Sequence, residues 1–490
     1  MTRPRFAIVG HPNKGKSSIV ATLAEDDAVL ISPEPGTTTR ATAYPMRADG
    51  EILYELIDTP GFQRAREVLD WLDAHDRGAG ARADVVRAFR STHVDDPRFR
   101  DECELLQPLL DGAGILYVVD GSRPYGRYYE AEMEILRRTG RPRMALINLI
   151  GSGDHVEEWR TALGQFFSIV RIFDAVHADF SKRIELLRAF GAIDEQWAKP
   201  LERATRALLA ERARRGQRAA AVIAELLTGA ITATETVPLP DPSAQARVEE
   251  QARARLHEII RTKEHDARRA VQEIYRHSDT EISESGDTLL MQDVFSKRSF
   301  SIFGLSRRQL AVTGAASGAA AGGLIDVAVG GASLLLGAGI GAAVGAAGAI
   351  VGAGQLAKIE VLGRPLGGHD LKVGPMTDPN LSWVLLARAM LHVQLVAERN
   401  HARREALVIE ATSTENPGTT VDAAARRQIE SLFRRIRRTG GDDARAREAL
   451  AKAIGEILET HQAFAQKAAP STISASSPSL ARASSSSSQP

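Results

Sequence analysis

Over roughly the first 190 positions, short apolar runs alternate with longer polar stretches. Arg5–Gly10 (RFAIVG), Ile52–Asp58, Gly114–Asp120 (GILYVVD), Met144–Asn148 (MALIN) and Ile169–Phe173 (IVRIF) are each the length of a buried strand. The intervening stretches have helical spacing, beginning with a helix over Ser17–Leu23. Such alternation predicts a mainly parallel sheet covered by helices on both faces. Beyond about residue 195 the pattern changes. Residues 200–228 and 243–278 carry apolar positions at helical intervals among Arg, Glu and Ala, punctuated by Pro238, Pro240 and Pro242. Residues 380–411 and 421–466 repeat that texture, and all these charged helices read as solvated faces.

Between them lies a segment of a different kind. Leu310–Ala357 is almost wholly Gly, Ala and aliphatic residues, with Asp326 its only charge. Gly314, Gly318 and Gly322 recur every four residues, as do Gly337, Gly341 and Gly345, then Gly348 and Gly352. On helices this spacing makes a glycine face that lets two helices approach closely. Gly330-Gly331 would turn between halves of about 20–26 residues, long enough to cross a bilayer core. Lys297, Arg298, Arg307 and Arg308 precede the segment and Lys358 and Arg364 follow it, which would leave both ends cytoplasmic. Against insertion, Gly and Ala contribute little, so a close-packed hairpin inside a soluble domain is the rival reading. The expected organisation is a nucleotide-binding domain over 1–190, a charged helical region over 191–300, a Gly/Ala-rich hairpin over 301–360, a helical region over 361–468, and a disordered Ser-rich tail over 469–490.

Composition adds exclusions. The 490 residues hold 62 Lys+Arg and 62 Asp+Glu, so net charge gives no long-range attraction to nucleic acid, and no DNA partner is expected. Cys103 is the single cysteine and can form no intramolecular disulfide. The N-terminal residues run straight into a strand, without the pattern of a secretory signal. No His/Cys cluster has metal-ligand spacing; His392 and His401 read as ordinary residues of the later helix.

The chemistry is concentrated in three motifs. Gly10-His11-Pro12-Asn13-Lys14-Gly15-Lys16-Ser17 has the spacing of a phosphate loop between a strand and a helix. There the backbone amides of Gly10, Asn13, Lys14 and Gly15 cradle phosphates, Lys16 reaches the β/γ-phosphates and the Ser17 hydroxyl ligates Mg²⁺. Asp58-Thr59-Pro60-Gly61 closes the second strand: Asp58 is placed to hold Mg²⁺ through water, and Gly61 to donate its amide to a γ-phosphate. Pro35-Gly36-Thr37-Thr38-Thr39-Arg40 lies between the first helix and that strand, where a threonine can close over the metal.

Together these motifs resemble the Era, Der, TrmE and FeoB class of bacterial GTPases, over roughly the first 180 residues. The resemblance implies a Ras-like α/β P-loop domain, GTP/GDP as ligand, GTP hydrolysis, Mg²⁺ and two switch loops. It assigns the switch threonine to Thr38, with Thr39 the alternative, and makes Asn13 a candidate K⁺ ligand. Phe62 stands where Ras-like proteins place a water-orienting glutamine, so hydrolysis needs help from elsewhere. The class usually reads guanine with N-K-x-D. Here Asn148 is kept, but Leu149 and Gly151 occupy the Lys and Asp positions, and Asp154 comes three residues late. Ala175 matches the alanine of the short S-A-x element that contacts the base, so Asn148, Asp154 and Ala175 are the candidate base-recognition residues. The helical remainder is similar to an uncharacterised domain found after such G domains in bacteria. The leading expectation is a cytoplasmic GTP-dependent switch associated with the inner membrane, with a membrane lipid or membrane protein as partner. An RNA- or ribosome-binding assembly factor and a non-hydrolysing, nucleotide-stabilised scaffold are the alternatives; the basic cluster Arg434–Arg438, with few aromatics, is thin support for RNA.

Overall fold

The computed structural model describes residues 3–26, 29, 31, 38–48, 50–151, 153–239, 242–277, 290, 292–305, 309, 349–352, 360–361, 364–365, 369–402 and 421–468. The N-terminal region is built on a six-stranded sheet of order β2-β3-β1-β4-β5-β6. Its strands are β1 (Arg5–Val9), β2 (Thr42–Ala48), β3 (Glu51–Asp58), β4 (Gly114–Asp120), β5 (Arg143–Asn148) and β6 (Val170–Phe173). All pairs are parallel except β2 with β3, a hairpin that makes the sheet mixed. The five apolar runs are the five parallel strands. β4 is buried along its whole length, as a strand covered on both faces must be. The edge strand β2 carries Pro45 and was invisible to a search for apolar runs, because an edge needs only one apolar face.

α1 (Lys16–Ala24) follows the phosphate loop. Three helices, α2 (Ala65–Ala74), α3 (Arg82–His93) and α4 (Arg100–Leu110), fill the interval between β3 and β4. They cover one face of the sheet with α5 (Tyr129–Arg138) and α6 (Val156–Leu163), around Phe62, Phe89, Leu105, Tyr117 and Trp159. The other face packs Phe6, Ile8, Leu116 and Leu146 against α1, α7 (Phe180–Gly191) and the start of α8 (Glu195–Thr232).

α8 joins the two halves of the molecule. It has 38 residues, about 57 Å at 1.5 Å per residue. Asp194 caps it by accepting from the Gln196 amide. Leu201, Ala204 and Leu208 belong to the core beneath the sheet, and Ala219 through Ile231 belong to a second core. That second core gathers α9 (Gln245–Ile274), α10 (Lys297–Phe303), α11 (Pro379–Glu398), α12 (Ala423–Arg438) and α13 (Ala444–Ala468) around Trp383, Leu386, Phe433 and Ile454. A small antiparallel sheet of order β7-β11-β8 sits at its edge, from β7 (Glu235–Leu239), β8 (Ala349–Gly352) and β11 (His369–Val373). β9 (Glu360–Val361) and β10 (Arg364–Pro365) form a minimal antiparallel pair.

Several expectations change here. Residues 310–348 and 353–357 of the Gly/Ala segment, and the tail 469–490, lie outside the described residues. Residues 349–352, expected at the end of a glycine-faced helix, form β8 instead: Ile350 and Val351 suit an extended backbone, and β11 offers an edge to pair with. The helix expected over 380–411 ends at Glu398, and Asn400-His401-Ala402 leave it as a turn, so His401 is not a helix residue. The charged helices are not merely solvated. Arg388 is 2% exposed; its Nε donates to Glu264 Oε1 at 2.7 Å, while other guanidinium nitrogens donate to Ser299 Oγ and the Leu290 carbonyl, both at 3.0 Å. Glu264 also takes Arg268 at 2.6 Å. Among the described residues, α11 is the one helix long and apolar enough to cross a membrane, and 72% of its apolar window is buried inside the protein, which makes it a core helix.

Candidate nucleotide site

The phosphate loop leaves β1 under tight geometric constraint. Gly10 has φ +144°, and a Cβ there would run into the Val118 carbonyl of β4. Gly15 has φ +76°, and a Cβ there would strike the Asn148 amide. Glycine at both places lets the loop lie flat on the strand ends. Asn13 is also left-handed, at φ +59°, and is exposed at the rim. Lys16 opens α1 with its Nζ donating to the His11 carbonyl at 3.0 Å. Burial brings its pKa down to about 8, against the pull of Asp58 and Glu132.

Three oxygen-bearing groups converge at the head of α1. Ser17 Oγ donates to Asp58 Oδ2 at 2.7 Å, and Thr38 Oγ1 to the same oxygen at 3.2 Å. Asp58 is 3% exposed, and its Oδ1 has no hydrogen-bond partner. Burial raises the Asp58 pKa, with the Ser17, Lys16 and Thr38 interactions opposing. A buried carboxylate with one oxygen unpartnered and two hydroxyls on the other is the donor set of a hard divalent cation such as Mg²⁺. Thr38 therefore stands at this point; Thr39, described but outside these bonds, does not share it. Gly61 lies against Pro12 across the cleft. The Phe62 amide donates to the Gly10 carbonyl at 3.3 Å, while its ring is 1% exposed in the core and turned away from the cleft.

The Lys14 side chain turns away from the phosphate loop. Its side chain is buried, with Nζ 3.8 Å from Asp120 Oδ2 and 5.8 Å from the centre of the Tyr129 ring. Only its backbone remains for phosphate. A buried lysine needs a counter-charge, and Asp120 at the end of β4 supplies it.

On the base side, Asn148 ends β5 and bridges two loops. Its Nδ2 donates to the Lys14 carbonyl, and its Oδ1 accepts from the Ala175 amide, both at 3.1 Å. Ala175 is 1% exposed, in a turn closed by Asp174, whose Oδ1 accepts from the Val176 and His177 amides at 2.9 Å. Asp154 is exposed in the turn entering α6, and the bonds joining Asn148 to Ala175 do not include it. Ile150, 53% exposed, lies beside Gly15 and gives this rim an apolar face.

The turn after α11 braces this loop from the helical half. Asn400 Nδ2 donates to the Ala178 carbonyl at 3.1 Å, and its Oδ1 accepts from the Ala402 amide at 3.0 Å. The Thr22 hydroxyl, on α1, lies 2.7 Å from the Ala175 carbonyl and 2.6 Å from Asn400 Oδ1, with one proton to share between them. Beside it, Glu25 holds Arg183 at 2.8 Å and Arg215 at 2.9 Å. Burial alone would raise its pKa; the two guanidinium groups outweigh burial and hold it far below the usual carboxylate range. His401 stacks on His277 with ring centres 4.2 Å apart. Thr22, Glu25, Asn400 and Asp120 carry no motif spacing, and nothing in the sequence marks them.

Residues 5–148 match the family described as "50S ribosome-binding GTPase", and residues 160–459 match the family described as "Domain of unknown function (DUF3482)". GTPase Der of Mycoplasma pneumoniae is 38% identical over 86 residues, covering 17% of this chain and 19% of that protein. GTPase Der of Azoarcus sp. is 46% identical over 67 residues, 14% of this chain and 15% of that protein. The chain thus spans about a fifth or less of the length of these curated relatives. Among solved structures, an Era variant from Aquifex aeolicus bound to GDP·AlF4⁻ is 14% identical, with a TM-score of 0.28, over 54% of this chain and 88% of that one. An NFeoB variant from S. thermophilus bound to GMPPNP is 18% identical, with a TM-score of 0.26, over 56% and 91%.

Proposed function

The chain belongs to the family described as "Domain of unknown function (DUF3482)", here preceded by a GTPase domain, and from that premise we propose that it is a Mg²⁺-dependent GTP hydrolase acting as a nucleotide switch on its helical half. The observation that carries this reading is the convergence of Ser17, Thr38 and Asp58. Thr38 belongs to the loop before β2 and Asp58 to the strand end before Gly61, so a metal held at this point would tie both loops to the bound nucleotide. Ser17, Thr38 and Asp58 would hold Mg²⁺ directly or through water, and the ion would supply charge to the phosphate oxygens of the substrate. Lys16 adds a second positive charge on the phosphate side, and the loop amides, fixed by Gly10 and Gly15, orient the phosphates. Phe62 is committed to the core, so the attacking water must be ordered by other groups. Asn13, left-handed and exposed at the rim, is the residue through which K⁺ could assist. Asn148 and the Ala175 turn support guanine selection without the usual Lys and Asp.

The test is turnover of GTP with Mg²⁺ against the same protein in EDTA, together with Ser17→Ala and Asp58→Asn. Metal-independent turnover, or variants that keep wild-type rates, would overturn the reading. Tight nucleotide binding without turnover would favour the scaffold.

Inner-membrane association is the second part of the proposal. What supports it is the glycine-faced composition of 310–348 with its flanking Arg and Lys residues. Flotation of the full chain with anionic lipid vesicles, before and after a carbonate wash, tests it. Protein that stays at the bottom of the gradient would refute it. Co-sedimentation with ribosomes instead would favour the assembly-factor reading, to which the description of the GTPase family points.

A further inference from the structure

Between β3 and β4 the chain makes an excursion of three helices, and these helices touch both loops that meet at Asp58. The ring of Phe62 and the methyl of Ala65 share a core with Leu72, Phe89, Phe99 and Leu105, and Ala41 packs against the same core. Two carboxylates in the first turns of α4 make the contacts specific. Glu102 is fully buried, and its Oε1 accepts from the Gln63 amide at 2.8 Å and the Arg64 amide at 2.6 Å, the first two amides after Phe62. Glu104 Oε2 accepts from the Ala41 amide at 3.2 Å, where Thr38–Arg40 enters β2. Glu102 Oε2 is buried and has no hydrogen-bond partner. Burial pushes the Glu102 pKa up, and the bonds from the Arg64 and Gln63 amides oppose that cost.

We propose that Glu102 and Glu104 are positioning residues for GTP hydrolysis: from one short stretch of α4 they fix the backbone of the loop after Gly61 and the exit of the loop carrying Thr38. This rests on the hydrolase reading above. It answers the difficulty posed by Phe62. With Phe62 in the core and unable to orient water, the backbone of the loop has to be held in place, and a displacement near 1 Å is enough to slow a reaction about 100-fold. The same bonds make α2–α4 the element that moves when either loop moves. Trp71 on α2 reports on it, since its ring stacks on His75 at 3.8 Å and meets Phe89 and His93 edge-on at 5.4 and 5.5 Å.

The experiment compares wild type, Glu102→Ala, Glu102→Gln and Glu104→Ala in the full chain. Three quantities are read: GTP turnover, affinity for a fluorescent GDP, and the fluorescence change between GDP and a non-hydrolysable GTP analogue, with Trp71→Phe as the blank. Glu102→Ala should turn over about 100-fold more slowly while binding GDP within about two-fold of wild type, and should lose the Trp71 response. Glu102→Gln keeps an oxygen for the two amides but not the charge, so it should recover about ten-fold of the loss. Glu104→Ala should slow turnover about ten-fold. A Glu102→Ala protein with wild-type turnover and Trp71 response overturns the proposal, and so does one that loses GDP affinity in proportion to turnover, which is the mark of a merely structural carboxylate. If Glu102→Ala does not fold, wild-type rates in both Glu102→Gln and Glu104→Ala overturn it equally. If wild type itself does not hydrolyse GTP, the hydrolase reading fails and this role in it fails too; a Trp71 response that Glu102→Gln weakens would then show that the loop contacts exist without the reaction.

Discussion

Acidification should weaken the helical half, with the larger part coming from one side chain, His392, and a smaller one from His257 on α9, which burial also lowers. It lies on α11, 1% exposed, with Nε2 3.2 Å from the Arg268 carbonyl and Nδ1 without a hydrogen-bond partner. That pairing requires a proton on Nε2, and burial disfavours a second one on Nδ1. Burial, with the Arg268 charge beside it, brings its pKa down from 6.5 to about 4; the carbonyl bond and Glu264 pull the other way but do not win. The unfolded chain therefore takes up the proton first. Stability from this group is complete above pH 6.5, falls as the pH drops towards 4, and levels off below that. At about 1.4 kcal/mol per pH unit, the loss relative to pH 7.5 is about 2 kcal/mol at pH 5 and about 3 kcal/mol near pH 4. The assay is urea unfolding followed through Trp383, which is fully buried two turns earlier on the same helix and donates to Glu430 at 3.2 Å. The control is His392→Gln, which keeps a donor for the Arg268 carbonyl and cannot titrate. Nearby carboxylates act at lower pH or in the opposite sense. Burial would raise Glu264, but Arg268 and Arg388 hold it below the usual range, so its contribution is lost only on stronger acidification. Asp378, Glu398 and Glu430 are raised by burial and gain as the pH falls. The difference between wild type and His392→Gln isolates the imidazole. Equal slopes for the two proteins between pH 7.5 and 5 would refute the reasoning.

Other outcomes are expected at defined positions. Lys16→Ala should weaken binding of a fluorescent GTP analogue about 10- to 100-fold, the worth of a charge-assisted bond, as measured by anisotropy. GTP turnover should be faster in KCl than in NaCl at equal ionic strength, and Asn13→Ala should remove the difference. Competition among GTP, ATP and XTP should show a guanine preference reduced by about 1–3 kcal/mol for want of a bidentate partner at Gly151; tighter binding of ATP would leave only a P-loop nucleotidase. Arg388→Ala should cost about 3 kcal/mol in urea unfolding, the low end for a broken buried pair, because Arg268 still faces Glu264.

What the sequence made legible was whatever rested on strong local rules. The parallel strands were readable because those covered on both faces are apolar, β4 along its whole length, while the edge strand β6 is read from its apolar run although it is mostly not buried. The phosphate loop was readable because Gly10 and Gly15 stand where a Cβ has no room. Asp58 and Thr38 followed from their motifs, and the Thr38 and Ser17 hydroxyls meet on one Asp58 oxygen. The rest depends on distant partners. Lys14 sits among the loop residues, yet its ammonium goes to Asp120, about a hundred positions away. Glycines spaced by four suggest a helix face, but at 349–352 the free edge of β11 decides in favour of a strand. Arg388 and Glu264 look like any surface charges on amphipathic helices until they are found paired in a core. Glu102 and Asn400 act on backbone amides and carbonyls, which leave no trace in residue identity.

The brace between Thr22 and Asn400 also has a bearing on synthesis. The two residues are 378 positions apart, and a chain grows at about 5–20 residues per second. The first strand, the phosphate loop and Asn148 are therefore made tens of seconds before the turn that steadies the Ala175 loop from its far side. During that interval the growing chain can shape its phosphate cradle, while the base side is gripped by Asn148 and Thr22 without Asn400. The turn after α11 adds Asn400 to that grip last, so the base side of the cleft is completed in step with the folding of the helical half.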